Sequence, residues 1–214
     1  MSSLATLSVL KHGPKTTGIK AFVDSAKNAG AEPFYTYVSL NGDRSVKFVY
    51  SPVEGHAKLL NQTATLEAKH GTETAVGLAS AAAKEVEALA IQHLHVVARS
   101  HKNEKPSTYV QVWGVKVSDS GQFLEALGEI AKATGDKVRY AVLRPSDSGG
   151  HGKWLILIGF ENLSDLDADG NLNQAHLVNA VGQEEAVRIG KLLAGSVEGY
   201  LKHTLQLLPH VSHF

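Results

Sequence analysis

The chain of 214 residues contains no cysteine. Disulfides, zinc–thiolate centres and thiol nucleophiles are therefore excluded. It also lacks net charge, with 21 Lys and Arg against 21 Asp and Glu. Neutralising phosphates needs a surplus of cations, so no nucleic-acid partner is expected. No basic cluster suits an anionic membrane surface either. Long apolar runs are missing: stretches such as Leu155–Ile158 fall far short of the ~20 residues that span a bilayer. Residues Met1–Leu10 lack the charged start and apolar centre of a signal peptide. These absences predict a soluble protein, cytoplasmic by default, because a cysteine-free chain suits either redox compartment. There is no Gly-x-Ser-x-Gly, His-Glu-x-x-His or Walker motif. Gly149-Gly150-His151-Gly152 lies between two expected strands, so it is not a phosphate-cradling loop at a helix start.

What is present is a hydrophobic fraction of 43%, ample for a core, and an internal repeat. Gly71–Leu94 aligns with Gly182–Leu205 at a shift of 111, with identities at Gly71/Gly182, Glu73/Glu184, Ala75/Ala186, Val76/Val187, Ala83/Ala194, Val86/Val197, Glu87/Glu198 and Leu94/Leu205. Upstream, Leu60-Asn61-Gln62 recurs as Leu172-Asn173-Gln174. Further upstream, Ala21, Ala26, Lys27, Gly30 and Tyr35 recur as Ala126, Ala131, Lys132, Gly135 and Tyr140. One Ala-rich helix could match by composition; an ordered series of segments points to duplication. The repeats are read as 1–105 and 106–214.

Each repeat gives the same elements. In the first, Leu4–Leu10 reads as a strand and Gly18–Ala29 as a helix stopped by Gly30. Phe34–Leu40 and Ser45–Tyr50 flank Asn41-Gly42-Asp43, a hairpin signal. Thr72–Gln92 reads as a long helix and His93–Arg99 as a half-buried strand. The second repeat reads Tyr109–Val117, Gly121–Thr134, Lys137–Arg144, Lys153–Phe160, Gln183–Leu205 and a short final strand at His210–Phe214. The order β-α-β-β-α-β is that of the ferredoxin-like unit. Such a unit covers one sheet face with helices and leaves the other to be covered by a second sheet.

In this pattern the chain resembles the dimeric α/β-barrel superfamily in its fused two-repeat form. The resemblance implies an α+β fold, with two ferredoxin-like βαββα(β) repeats packed sheet to sheet as a barrel within one chain. The superfamily includes cofactor-free monooxygenases, small-molecule isomerases, and haem enzymes of the chlorite dismutase and dye-decolourising peroxidase kinds. A fold of this breadth does not fix a function.

In such a barrel the pocket would lie between the sheets. Strand alternation then offers candidates. His93 and His95 share a face with Val97 and Arg99, opposite Leu94, Val96 and Ala98; the apolar face is expected on the helices. Two histidines at this spacing could contact a small molecule, shuttle protons or, with a third ligand, hold a metal; the plainer reading is a hydrogen-bonded pair. Tyr35 and Tyr140 match between repeats, with Tyr37 beside the first and Arg144 beside the second. A phenol there could orient a substrate oxygen or simply fill the core. Trp113, on a face with Tyr109, Gln111 and Val115, divides the same way.

Asp165, Asp167, Asp169, Asn171 and Asn173, with Gly170 at the sixth place, match the start of an EF-hand-type calcium loop. His176 stands where the bidentate Glu belongs, and a strand precedes the loop. A polar loop leading into a helix is the competing reading, and any bound calcium would be weak and structural. No cofactor is otherwise expected. Haem, the minor alternative from the resemblance, would look to His176 or His203. The leading expectation is a small-molecule-binding barrel, with cofactor-free oxygenation or isomerisation as the catalytic readings. The alternatives are a non-catalytic association module and a haem barrel. Homodimerisation is compatible with either.

Overall fold

A computed structural model describes residues 4–13, 15–53, 62–100, 105–135, 138–146, 153–167 and 172–213. The first half runs β1 (Leu4–His12), α1 (Thr17–Ala29), β2 (Tyr35–Ser39), β3 (Val46–Val53), α2 (Gln62–His70), α3 (Thr72–Ala83) and β4 (Val86–Arg99). The second runs β5 (Tyr109–Val117), α4 (Ser120–Thr134), β6 (Arg139–Pro145), β7 (Lys153–Phe160), α5 (Leu163–Asp167), α6 (Leu172–Val181), α7 (Gln183–Gly195) and β8 (Val197–Leu207). A 3-10 turn, Pro209–Val211, follows. No helix among the described residues is long and apolar enough to cross a membrane.

Two compact units emerge: Met1–Val96 with Leu205–Phe214, and Val97–Thr204. Strand order in the first is β4-β1-β3-β2-β8, and in the second β8-β5-β7-β6-β4, so β4 and β8 contribute to both. In the first unit β1 lies antiparallel between β3 and β4, and β2 between β3 and β8. In the second, β7 lies antiparallel between β5 and β6. Both halves therefore follow the β-α-β-β-α-β order read from the sequence.

Two long helices of that reading are shorter than expected. Thr72–Gln92 and Gln183–Leu205 each stop early, at Ala83 and Gly195, and become strands from Val86 and Val197. Lys84–Gln92 is rich in Ala, Leu and Glu, which favour helix locally. Pairing with β1, from His12↔Val86 to Leu4↔His95, overrides that preference. A bulge also hides the strand period: Val9 pairs with Ala90 and Leu10 with Ala88, leaving Leu89 as the extra residue. The expected final strand is instead the 3-10 turn plus a single bridge, Phe34↔His213. Helices α2 and α6 were not anticipated from periodicity. Leu66 of α2 packs with Ala26 and Ala75, and Leu177 of α6 with Ala186 and Ile189.

The repeated glycines have a backbone reason. Gly71 and Gly182 precede α3 and α7 with φ 79°, ψ 152° and φ 83°, ψ 164°. Only glycine adopts this region without strain. The starts of α1 and α4 are capped differently. Asp119 accepts from the Gln122 amide at 3.0 Å, a local N-cap. At α1 the acceptor is distant in sequence: Glu85 takes the Gly18 and Ile19 amides, both at 2.9 Å. Those two bonds hold the Glu85 carboxyl below the usual glutamate range.

Candidate functional site

Cross-strand register defines the faces of the first unit's sheet. Leu10 pairs with Lys47, Ser8 with Val49 and Thr36 with Val49, so these side chains share a face. Helix α1 covers that face with Ile19, Phe22 and Val23, but does not fill the space beneath it. A cavity of ≈ 360 Å³ remains, walled mainly by Leu10, Ile19, Phe22, Val49 and Val211. Its polar contributors include His12, Lys47, Thr36 and His210.

The C-terminal segment forms one wall and is firmly fastened. The Thr36 hydroxyl donates to the Val211 carbonyl at 2.7 Å, and the Thr36 amide to Ser212 Oγ at 2.8 Å. Phe34 and His213 exchange backbone bonds at 2.9 Å each way. His12 Nδ1 lies 2.5 Å from the Gly13 carbonyl. With Nδ1–H donated there, a neutral His12 keeps Nε2 as an acceptor. The Lys47 ammonium donates to the Arg44 carbonyl. Burial, with Arg44 adding to it, pushes the Lys47 amine below the usual lysine range.

Large side chains stand at the corresponding place in the second unit. Register places Val115 opposite Trp154, as Leu10 is opposite Lys47. Trp154 is 1% exposed and meets Phe123, 0% exposed, edge to face with ring centroids 5.2 Å apart. Gly18 faces α3 and has no room for a side chain: a Cβ there would sit 2.7 Å from the Ala81 carbonyl oxygen. One half thus sets a buried tryptophan where the other has a lysine.

The residues singled out by alternation lie elsewhere, and none lines this cavity. His93 pairs with Thr6 and His95 with Leu4, on the same face as Leu10; Leu94 pairs with Ala5 on the opposite face. The alternation argument predicts the reverse. Thr6 Oγ1 lies 3.4 Å from His93 Nδ1. Tyr35 stacks on Tyr50, with centroids 6.2 Å apart, and shares the far face with buried Tyr37. Tyr140 is on the helix-bearing face of its own unit, packed against the Phe123–Trp154 cluster. Register matches Tyr140 to Phe34 and Tyr35 to Ala141, so the two tyrosines are not equivalent. Burial pushes both phenols above the usual tyrosine range.

Arg144 lies 6.0 Å from the Trp154 ring centroid. Trp113 donates to Gln111 at 2.8 Å and stacks on Tyr200 at 5.0 Å, with the Lys202 ammonium 5.1 Å from its centroid. Arg99 ends β4 beside Ser100, whose hydroxyl takes the Tyr140 amide at 2.9 Å. What the sequence reading missed is Lys47 and His12. Lys47 had a signal, since repeat alignment sets a lysine against a tryptophan.

Asp165 and Asp167 fall within the short helix α5. Asp165 Oδ2 accepts from the Asn162 amide at 3.3 Å, the back-reaching half of a capping box. Asp169 and Asn171 lie outside the described residues, and Asn173 opens into α6. Among the described residues no three His, Asp or Glu gather as a metal site. For haem, His203 is an exposed residue of strand β8, not of a helix end. The His176 side chain lies outside the described residues, and Trp154 and Phe123 occupy part of the second unit's helix–sheet space.

No protein-family model and no curated protein matches the chain. Solved structures do. A Fusobacterium nucleatum protein named "putative monooxygenase" is similar over 97% of this chain and 93% of its own, at 11% identity and TM-score 0.64. A Lactobacillus acidophilus protein of the same name is similar over 97% and 94%, at 10% identity and TM-score 0.63. A chlorite dismutase of Candidatus Nitrospira defluvii is similar over 98% and 92%, at 8% identity and TM-score 0.55. At such identities the likeness is one of fold. The chain has the dimeric α+β-barrel fold, with its two ferredoxin-like repeats joined in one polypeptide.

Proposed function

We propose that the first unit's cavity binds an apolar, ring-bearing small molecule, and that His12 acts as a base on an acidic hydrogen of that ligand. The observation that carries this reading is the cavity itself, with Lys47 in its wall where the second unit holds the buried Trp154. A fused-ring ligand burying roughly 150 Å² of apolar surface gains about 4 kcal/mol before ordering costs. Polar groups within apolar walls then fix its orientation.

His12 supports proton abstraction, because its Nδ1–H is engaged by Gly13 and Nε2 is left to accept. A carbanion formed beside a carbonyl can be reprotonated elsewhere, which is isomerisation, or can pass electrons to dioxygen. The names of the fold neighbours, which include an anthrone oxidase-like protein, favour dioxygen. With an anthrone, one oxygen atom becomes the new ring carbonyl. The other leaves as water with the two displaced hydrogens, so anthrone and dioxygen are consumed one to one.

The test is oxygen uptake with anthrone, alongside calorimetric binding of methyl 2-naphthoate. Wild type is expected to do both. His12→Ala should cut uptake by about 100-fold or more while retaining binding. Val49→Trp, which fills the cavity, should abolish both. Wild-type protein that binds no naphthalene compound would end the cavity reading; binding without uptake would end the oxygenase one.

A further inference from the structure

Lys47 interrupts an otherwise apolar wall, and nothing about an apolar ligand explains it. We infer that the ligand carries an anionic oxygen, as carboxylate, phenolate or enolate, and that Lys47 receives it. This deepens the cavity reading and rests on it.

Lys47 is half-buried on β3, with Leu10 opposite it on β1 and Val38 on β2. Its ammonium has three hydrogens, and one is given to the Arg44 carbonyl. No carboxylate of the described residues pairs with it. The nearest in sequence, Asp43, is turned to Ser45, accepting from its amide at 2.8 Å and its hydroxyl at 2.7 Å. Arg44 adds positive charge beside it, and the Asp43 carboxylate, near but not in contact, offsets only part of the burial. A cation drawn partly from water with no carboxylate in contact is unfavourable, and an anion entering the cavity would relieve it.

The other positive feature at this end is already matched. Helix α1 begins here, with Thr16 and Ile19 on the cavity wall, and its positive end favours an anion. Glu85 supplies that anion, bonding the Gly18 and Ile19 amides. His12 and His210 also border the cavity; Lys11 points to the opposite face of β1. Lys47 is thus the permanent cation of the cavity wall among the described residues. In the second unit the matching register position is the buried Trp154.

The test compares 2-naphthoate with its uncharged methyl ester by calorimetry on wild type, Lys47→Met, Lys47→Arg and Val49→Trp, each checked for folding by circular dichroism. Wild type is expected to prefer the carboxylate by tenfold or more. Lys47→Met should erase the preference while keeping the ester's affinity, and Lys47→Arg should retain the preference. An undiminished preference in Lys47→Met, or none in wild type, would overturn the assignment while the ester's binding leaves the cavity standing. If neither compound binds, or if Val49→Trp still binds both, the cavity reading fails and this inference with it.

Discussion

At the scale of single residues, the two repeats differ most where they should be alike. Trp154 is buried against Phe123, whereas Lys47, at the matching register position, borders a cavity. Trp154→Ala should therefore destabilise by about 3–5 kcal/mol, read by denaturant unfolding. Lys47→Trp should do the converse, eliminating naphthalene binding without loss of stability. Gly71→Ala and Gly182→Ala should each cost about 1–3 kcal/mol, since both backbones occupy a glycine-only region. These glycines were visible in the sequence as repeat identities, though not the conformation that requires them. The tyrosine match was misleading: Tyr35 and Tyr140 coincide at a shift of 105, but β2 and β6 correspond at 106 by register. A one-residue slip turns a side chain to the other face.

At the scale of elements, the strands with undisturbed periods were legible, and Tyr109–Val117 and Lys153–Phe160 match the expected bounds. The β4 boundary was not, because its partner is β1, some eighty residues earlier, and its alternation is broken at Leu89. The cavity escaped for a related reason. It depends on which face α1 covers, and that is set by tertiary pairing. The start of α1 also depends on a distant group, Glu85. Its carboxyl is held below the ordinary range by the two amide bonds, so its contribution is present above the unfolded-state value and is lost as pH falls through the folded one. Acidification should therefore lower the protection of the Gly18 and Ile19 amides relative to their intrinsic exchange at each pH. Glu85→Gln should remove that pH dependence, and amide exchange by NMR across the acid range checks it.

At the scale of the whole molecule, sequence order and structural membership diverge. The first unit is completed by Leu205–Phe214, which follow the second unit in sequence. Within it, Tyr37 pairs with Leu207, Thr36 is bonded to Val211 and Ser212, and Leu208 and Val211 wall the cavity. A fragment ending at Val96 should show little cooperative unfolding by circular dichroism, and adding a peptide of residues 205–214 in trans should raise its thermal midpoint. For a polypeptide emerging from a ribosome, the consequence is one of timing. The half made first must wait for residues 205–214 before it can settle, so the second half has to be synthesised before a ligand can be held.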